Sequence, residues 1–344
     1  MEESYLYEKL KEKCVRCQTC SHGCQIAPNQ RGICGVRENR NGTLAVLNYG
    51  RAVAAHIDPI EKKPLFHFLP GSRTYSFAAV GCNLRCANCQ NFDISQITKQ
   101  PQLSAVAIAA MGDKLSPPEI VKNAIENSCP SISYTYSEPT IFLEYALDTM
   151  KLAKNAGLKN VWVSNGFMSR KTLELIAPYL DAINIDLKSF DDNFYRRYCG
   201  ARLEPILETL QLAKKLSVWV EVTTLIIPGL SDDEKMLRQI AQFMNHDLGS
   251  ETPWHISRFS GAISWQLTDR PETPVATLGK TRRIGLTAGL KYVYSGNVPG
   301  MASENTYCPR CQKLNIERVG YHIMRFDRNG QCANCGENLN LILN

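Results

Sequence analysis

Three cysteines lie close together in the run Gly81-Cys-Asn-Leu-Arg-Cys-Ala-Asn-Cys-Gln90. Their spacing, C-x3-C-x2-C, lets Cys82, Cys86 and Cys89 hold three irons of a [4Fe–4S] cube from one short loop. A structural zinc site would need four ligands and usually has shorter C-x2-C knuckles. An incomplete zinc site or a disulfide arrangement are the alternatives. The spacing therefore predicts an iron–sulfur cluster whose fourth iron has no protein ligand.

An iron without a protein ligand can bind a molecule from solution. In one large enzyme class that molecule is S-adenosylmethionine, which chelates the open iron through its amino and carboxylate groups. One electron from the reduced cluster splits the sulfonium and releases a 5′-deoxyadenosyl radical, while the protein orients the cofactor and excludes water and oxygen. The three cysteines therefore predict a radical enzyme.

A second group of cysteines lies near the C-terminus. Cys308 and Cys311 form one C-x2-C knuckle, and Cys332 and Cys335 form another after twenty intervening residues. Four thiolates suit tetrahedral zinc, and a segment this small needs a metal to fold. We predict a structural zinc ribbon in which 316–324 forms one strand. A rubredoxin-like iron site is the alternative.

A third group lies near the N-terminus and is harder to interpret. Cys17, Cys20, Cys24 and Cys34 supply four possible ligands, with Cys14 as a spare. Structural zinc and a second iron–sulfur cluster that passes electrons to the first both accept four thiolates. The spacing alone leaves the two metals open.

Composition limits the class of protein. The chain has 344 residues, is 44% hydrophobic and carries a formal charge of +6, without a long basic block. Metal-bound thiolates would offset much of that charge, so the composition does not indicate nucleic acid as a partner. Neither an apolar run long enough for a membrane nor a secretory signal is visible. The 14 cysteines therefore indicate metal ligation in a reducing, cytoplasmic setting.

The middle of the chain alternates short apolar runs with amphipathic ones, which is typical of parallel β-α-β units. We predict an α/β fold, a partial (β/α)6 barrel, with a doubly wound sheet as the alternative. The predicted divisions are a Cys-rich N-terminal module (1–45), a connecting segment (46–73), the barrel (74–300) and a C-terminal zinc ribbon (301–344). The predicted strands are 75–80, 131–136, 160–164, 182–186, 218–226 and 254–257. The predicted helices are 117–127, 140–156, 170–179, 203–216, 232–246 and 274–289.

Chemistry in such a fold belongs at the carboxyl ends of the strands. Polar residues collect there in this sequence, and together they predict a polar site for a zwitterionic, nucleoside-bearing cofactor. The residues concerned are Ser137, Glu138, Asn165, Asp186, Lys188 and His255.

With these residues in view, the chain resembles the radical S-adenosylmethionine (radical SAM) superfamily, on the branch of the pyruvate formate-lyase-activating enzymes. It is similar in particular to the radical enzymes of the AmmeMemoRadiSam set. The resemblance is carried by the cysteine loop and by the runs 58–71, 136–140, 184–188 and 294–297.

The resemblance implies roles for individual residues. Cys82, Cys86 and Cys89 would ligate the cluster, and Ser137 and Glu138 match an element that receives the cofactor's ammonium group. The remaining contacts would come from residues around the ribose and the methionyl carboxylate (Asn165, Asp186, Lys188, His255) and around the adenine (Ile226, Ile227). In this superfamily the residue before the third cysteine is commonly aromatic, but here it is Asn88.

The function predicted from these motifs is reductive cleavage of S-adenosylmethionine to a radical that acts on a small molecule, by hydrogen abstraction or addition to an unsaturated carbon. A protein of ferredoxin or flavodoxin type would supply the electron. Cys199 is a candidate catalytic residue as a hydrogen-atom donor. The alternatives are an activase that abstracts hydrogen from a glycine of a partner enzyme, and a metal-stabilised module that binds RNA or protein. Residues 46–73 and 260–269 are the candidates for a lid over the mouth of the barrel.

Overall fold

The computed structural model describes residues 2–298 and 300–344, and its N-terminal part consists of short strands. Three of them form one antiparallel sheet in the order β2-β3-β4, and three form another in the order β1-β6-β5. The strands are β1 (Glu2–Glu3), β2 (Tyr7–Lys9), β3 (Val15–Cys17), β4 (Gln25–Ile26), β5 (Arg37–Arg40) and β6 (Thr43–Val46).

The next segment adds an edge strand to the main sheet. After β7 (Arg51–Ala52), strand β8 (Ala54–Pro59) runs antiparallel to β9 (Arg73–Ala78). Between β8 and β9, the backbone of residues 64–67 is hydrogen-bonded to side chains of two other strands of the sheet. Asn184 Nδ2 donates to the Pro64 carbonyl oxygen (2.8 Å), and the carboxylate of Glu221 accepts from two backbone amides of this segment. Strand β8 therefore belongs to the main sheet, and residues 64–67 are hydrogen-bonded to side chains of that sheet. The sequence patterns predicted neither feature.

The main sheet has eight strands, of which seven are parallel. Their order is β16-β15-β14-β13-β12-β11-β9-β8, so each parallel strand lies beside its predecessor. The parallel strands after β9 are β11 (Ser131–Tyr134), β12 (Lys159–Ser164), β13 (Ala182–Asp186), β14 (Trp219–Ile226), β15 (Trp254–Arg258) and β16 (Val293–Gly296). The short β10 (Asp113–Lys114) pairs with β7.

Helices connect the parallel strands. They are α1 (Phe92–Ser95), α2 (Ala105–Ala109), α3 (Pro117–Glu126), α4 (Leu143–Asn155), α5 (Arg170–Ile176), α6 (Asp192–Phe194), α7 (Glu204–Lys215), α8 (Glu234–Phe243) and α9 (Val275–Thr287). Residue types at their ends explain several boundaries. The side chains of Ser169 and Asp233 accept hydrogen bonds from the first turns of α5 and α8, and Ser116 and Glu119 form a capping box at α3.

The six predicted strands and six predicted helices are all present, with ends that differ by a few residues. Their consecutive order has no reversal, whereas a doubly wound sheet requires one. The chain thus has an α/β fold with a mostly parallel sheet, and the carboxyl ends of its strands lie along one edge. Strand β16 was not predicted, because its four residues include a serine and a glycine and resemble a loop.

The last described segment forms a small antiparallel sheet of β17 (Thr306–Tyr307), β18 (Leu314–Val319) and β19 (His322–Arg325). The prediction of a single strand over 316–324 is wrong, because this run folds into a hairpin. The chain reverses at Gly320, whose φ of +60° costs glycine little and other residues more. Within the described residues, no helix is long and apolar enough to cross a membrane.

Candidate active site

The loop that carries Cys82, Cys86 and Cys89, here called the cluster loop (residues 81–90), follows the carboxyl end of β9. It turns at Gly81, whose φ is +104°. A Cβ at this position would lie 2.9 Å from Val36 Cγ1 and 3.2 Å from a carbonyl oxygen of the N-terminal module. Only glycine fits this close approach, so the cluster loop packs directly against the N-terminal module.

Two of the three thiols have polar neighbours from the fold. Cys82 Sγ accepts a hydrogen bond from the Leu84 amide (3.4 Å) and is approached by Asn165 Nδ2 (3.8 Å). Cys89 Sγ lies 3.3 Å from the hydroxyl of Ser95 in α1. Burial raises the pKa of both thiols. A bound metal would favour the thiolate forms, and these donors would then stabilise the charge on sulfur.

The third thiol, Cys86, contacts Cys199. A hydrogen bond from the Cys199 thiol lowers the pKa of Cys86. Cys199 is fully buried. Its carbonyl oxygen accepts from the Arg85 amide (2.9 Å), and the Tyr198 carbonyl oxygen accepts from the Ala87 amide (2.8 Å). This backbone pairing fixes the middle of the cluster loop, while a catalytic role for Cys199 stays a prediction.

Glu138 joins the ends of two strands. One carboxylate oxygen accepts from the Thr140 amide (3.0 Å), the Thr140 hydroxyl (2.5 Å) and the Ser164 hydroxyl (2.9 Å), and the other accepts from the Asn165 amide (2.8 Å). Burial raises the pKa of Glu138, although these hydrogen bonds lower it. Both oxygens are already paired with the protein, so the side chain positions the ends of β11 and β12.

The residues before Glu138 contact a buried ion pair. Ser137 Oγ donates to the Ala79 carbonyl oxygen (2.6 Å). The Tyr136 hydroxyl donates to Asp58, and the Lys63 ammonium lies 4.4 Å from the Tyr136 ring centroid and 2.6 Å from Asp58 Oδ2. Burial lowers the pKa of Lys63 to about 8, although Asp58 raises it. Asp58, Lys63 and Tyr136 had no predicted role. The acidic and basic residues of 58–63 were the available signal.

Asn165 connects the cluster loop to the end of β12. Its Nδ2 donates to Asn83 Oδ1 (2.8 Å), and its Oδ1 accepts from the Phe167 amide (2.9 Å). Asn83 Nδ2 in turn donates to the Phe167 carbonyl oxygen (3.4 Å). The predicted site residue Asn165 therefore lies beside the cysteines, as expected from its place after a strand.

Asp186 and Lys188 lie together at the end of β13, with Lys188 Nζ 2.7 Å from Asp186 Oδ2. Burial lowers the pKa of Lys188, but negative charge on Asp186, Cys86 and Cys199 outweighs burial and raises it. Lys188 is therefore a cation beside the cluster loop. The Tyr195 hydroxyl accepts from the Lys188 amide (2.8 Å) and fixes the turn.

The remaining predicted residues lie on the last strands. Ile226 and Ile227 are buried at the carboxyl end of β14. His255 is the second residue of β15, its ring nitrogen lies 2.6 Å from a carboxylate oxygen of Glu221, and its ring stacks on Tyr294. The structure thus gives His255 a buried hydrogen-bonding partner from the protein, and its predicted contact with a cofactor stays a prediction.

Lys99 is a neighbour of the cysteines that sequence reasoning missed. Its ammonium donates to the Leu84 carbonyl oxygen of the cluster loop and to Gln96 Oε1 (2.9 Å). Burial lowers its pKa, while the cysteines of the cluster loop and Cys34 raise it. Lys99 therefore lies between the cluster loop and the N-terminal module. A single lysine after a short helix carried no motif to identify it.

The predicted lid segment 260–269 contacts the cluster loop. The Trp265 amide donates to the Cys89 carbonyl oxygen (3.1 Å), and the Gln266 amide donates to the Ala87 carbonyl oxygen (2.8 Å). Ser264 Oγ donates to the same Ala87 oxygen (3.2 Å). This loop after β15 is therefore fixed to the cluster loop by its backbone.

The four C-terminal cysteines converge on one point. Cys308 Sγ lies 3.5 Å from Cys335 Sγ, and Cys311 Sγ lies 3.6 Å from Cys332 Sγ. All four sulfur atoms lie within 4.8 Å of one another. A tetrahedral ion with metal–sulfur bonds of about 2.3 Å requires sulfur–sulfur edges of about 3.8 Å. The group can hold a metal ion.

The four N-terminal cysteines surround a space. Cys17, Cys20, Cys24 and Cys34 line one cavity, which is partly open to solvent. Burial raises the pKa of Cys20, Cys24 and Cys34, and the neighbouring thiols add to the shift. The four residues lie around one cavity without the close sulfur contacts of the C-terminal group, and their binding of a metal stays a prediction.

Comparisons with known proteins agree with this geometry. The family profile described as "Radical SAM superfamily" matches residues 78–243, which include the cluster loop. An uncharacterized protein of Methanocaldococcus jannaschii is 45% identical over 346 aligned positions that cover 100% of both chains. The pyruvate formate-lyase-activating enzyme of Clostridium pasteurianum is 25% identical over 177 positions, covering 52% of this chain and 71% of that enzyme.

A similar protein of Escherichia coli strain K12, pyruvate formate-lyase 1-activating enzyme, is 22% identical over 53% of this chain and 71% of its own length. Among solved structures, Streptococcus suis SuiB bound to precursor peptide SuiA matches with a TM-score of 0.50 at 12% identity, covering 69% of this chain and 51% of that chain. At this identity the structural similarity concerns the fold alone.

Proposed function

This chain belongs to the radical SAM superfamily as a relative of the pyruvate formate-lyase-activating enzymes, and from that premise we propose that it is a radical enzyme acting on a small molecule. Cys82, Cys86 and Cys89 would hold the [4Fe–4S] cluster. When bound, the cluster supplies the electron that cleaves S-adenosylmethionine to methionine and a 5′-deoxyadenosyl radical.

The residues around the cluster loop fit such a group. Three thiols on one loop, each with a neighbouring hydrogen-bond donor, suit a cube with one iron left open. The open iron would bind a zwitterionic ligand. The Lys188 ammonium beside the cluster loop would supply a positive charge for the carboxylate of that ligand.

The predicted cofactor contacts are retained in this proposal. Asn165, Asp186 and Lys188 lie next to the cluster loop. Ser137 and Glu138 would act through the backbone that they fix, because their side chains are paired with the protein. Ile226 and Ile227 would offer an apolar face to the adenine, and His255 would complete the set from β15.

We propose the architecture that the sequence predicted. The open sheet of consecutive parallel strands would curve into a partial (β/α)6 barrel (74–300), preceded by the Cys-rich module (1–45) and the connecting segment (46–73). The C-terminal segment (301–344) would be a zinc ribbon, and the 3.5 and 3.6 Å sulfur contacts support zinc there.

The observation that carries the choice of a small molecule is the loop at 264–266. Its backbone and the Ser264 hydroxyl are hydrogen-bonded to carbonyl oxygens of the cluster loop. The loop is therefore fixed beside the cysteines, which leaves less space there for a segment of a partner protein and suits a compact substrate.

The second candidate function is activation of a partner enzyme by hydrogen abstraction from a glycine. Its support is the sequence similarity to two pyruvate formate-lyase-activating enzymes, which extends over about half of this chain. In either case we propose a low-potential electron donor of ferredoxin or flavodoxin type.

Anaerobic turnover tests the proposal. Reconstituted protein would be incubated with dithionite and S-adenosylmethionine, and 5′-deoxyadenosine and methionine would be quantified. We expect both products, and at least about a thousandfold less of each with Cys86→Ala, because the cluster then loses a ligand. Cys129→Ala, a buried cysteine remote in sequence from the loop, is the matched control. If a fully loaded, reducible cluster gives neither product, the binding-module alternative would replace this proposal.

The same assay distinguishes the two substrate classes. A cell extract would be divided by size, and each fraction would be added to the assay. Stimulation of 5′-deoxyadenosine formation by the low-mass fraction supports the small molecule. Stimulation by the protein fraction alone would establish the activase function instead.

A further inference from the structure

We propose that Cys17, Cys20, Cys24 and Cys34 hold a second [4Fe–4S] cluster, with all four irons bound by the protein. The four thiols line a single cavity. The other walls of this cavity include apolar side chains (Ile26, Ile33, Ile141). Four cysteines around a mostly apolar space form the donor set of a closed iron–sulfur cluster.

The distances between the sulfur atoms favour a cluster over a single ion. In the described part of the chain, the C-terminal group alone brings three or more potential ligand atoms within 4.8 Å of one another. The N-terminal thiols are therefore spread more widely than the edges of about 3.8 Å in a tetrahedral zinc site. An Fe4S4 core binds each thiolate on a different iron, and its eight atoms need a cavity between the sulfurs.

A buried cation lines the same cavity. The Arg37 side chain is 2% exposed and pairs with Glu144 through Nη2 (2.7 Å). Its Nε is buried and has no hydrogen-bond partner among the residues that the structure describes. A donor buried in this way costs free energy unless a ligand accepts from it. A sulfur atom of a negatively charged cluster would supply that acceptor.

The proposed second site directly adjoins the cluster loop. The His22 ring nitrogen lies 2.9 Å from the Asn83 carbonyl oxygen, one residue from Cys82. The Thr98 hydroxyl donates to the Cys34 carbonyl oxygen (2.8 Å). One hydrogen bond thus joins the two cysteine-bearing loops directly, and a second comes from the short helix that follows the cluster loop.

Metal and sulfide analysis of the full chain tests this site. After anaerobic reconstitution, we expect about eight irons, eight sulfides and one zinc per chain in the wild type. The triple variant Cys82→Ala/Cys86→Ala/Cys89→Ala should keep about four irons. Its dithionite-reduced EPR signal should not respond to S-adenosylmethionine, because no iron is open. Cys14→Ala, in the same module but outside the cavity, should keep the full wild-type content.

Two results would overturn the proposal. If the triple variant contains no iron and two zinc ions, the N-terminal cysteines bind zinc and the proposal is wrong. If that variant does not fold, Mössbauer spectroscopy of the wild type decides the question. Eight irons with only one cluster perturbed by S-adenosylmethionine support the proposal, and four irons that all belong to the perturbed cluster overturn it. The metal content does not depend on turnover, so the proposed function is tested separately.

Discussion

The two flanking groups of four cysteines differ in how they could bind metal and in what they contact. In the C-terminal group the sulfur atoms lie 3.5 and 3.6 Å apart in pairs. In the N-terminal group the thiols surround a cavity that a buried arginine also lines. The sulfur spacing, which the sequence did not show, is that of a single-ion site in the C-terminal group and is wider in the N-terminal group.

The contacts of the two groups differ as well. The N-terminal module contacts the cluster loop through His22 and is fastened by the buried pair of Arg37 and Glu144. The C-terminal segment contacts the connecting segment instead, where Arg318 Nη2 donates to the Phe66 carbonyl oxygen (2.9 Å) and the Ile342 amide donates to the His67 carbonyl oxygen (2.8 Å). We infer that loss of the N-terminal group of cysteines affects the cluster loop more than loss of the C-terminal group.

The largest expected effect comes from removing a ligand of the C-terminal group. Cys332→Ala should abolish zinc binding, which contributes on the order of 10 kcal/mol to folding in small zinc domains. We expect residues 301–344 to lose protection from hydrogen exchange, while cleavage of S-adenosylmethionine continues. Cys129→Ala is the matched control. A loss of cleavage as complete as that of Cys86→Ala would contradict a purely structural role.

The next effect concerns the attachment of the N-terminal module. Glu144→Gln leaves the Arg37 guanidinium buried without its counter-charge, which should lower the free energy of unfolding by about 3–5 kcal/mol. Chemical denaturation measures the change. Glu126→Gln breaks an exposed pair with Lys122 and should cost under about 0.5 kcal/mol. Equal effects of the two substitutions would show that the buried pair does not hold the module in place.

A smaller effect is expected at the contact between the cluster loop and β12. Asn165→Ala leaves Asn83 Oδ1 and the Phe167 amide without a partner, at a cost of about 1–3 kcal/mol. It also removes the side-chain amide that approaches Cys82 Sγ (3.8 Å), so the reduction potential of the cluster should become more negative. Spectroelectrochemistry compares the variant with wild type and with the exposed Asn155→Ala. An unchanged potential would show that this amide does not influence the cluster.

The smallest effect is a pH dependence at the C-terminal segment. Burial raises the pKa of Glu304 to about 7, although Arg318 lowers it. The folded chain therefore holds a proton that the unfolded chain releases, and the stabilisation is full below the usual carboxyl pKa and lost as pH rises through 7. Because the group is half-exposed, the loss should stay under about 1 kcal/mol. Between pH 5.5 and 8, Glu304→Gln should remove this slope, and an identical slope in both proteins would contradict the assignment.

Much of the reactive site follows from local sequence. The spacing of Cys82, Cys86 and Cys89 determines which metal group fits, because one short loop must present all three thiols. The alternation of strands and helices predicted the parallel sheet and hence the common edge where Asn165 and Lys188 lie. Both conclusions need only neighbouring residues, so no knowledge of long-range contacts was required.

Tertiary structure decided what depends on residues distant in sequence. The contact of Cys199 with Cys86, the place of Lys99 beside Cys34, and the burial of Lys63 under Tyr136 each join segments that no local pattern relates. The same holds for the sulfur spacing in the two flanking groups, which share the same ligand type and number. Sequence thus specified which atoms could bind metal, and folding set their separations, because separation depends on how distant parts of the chain pack.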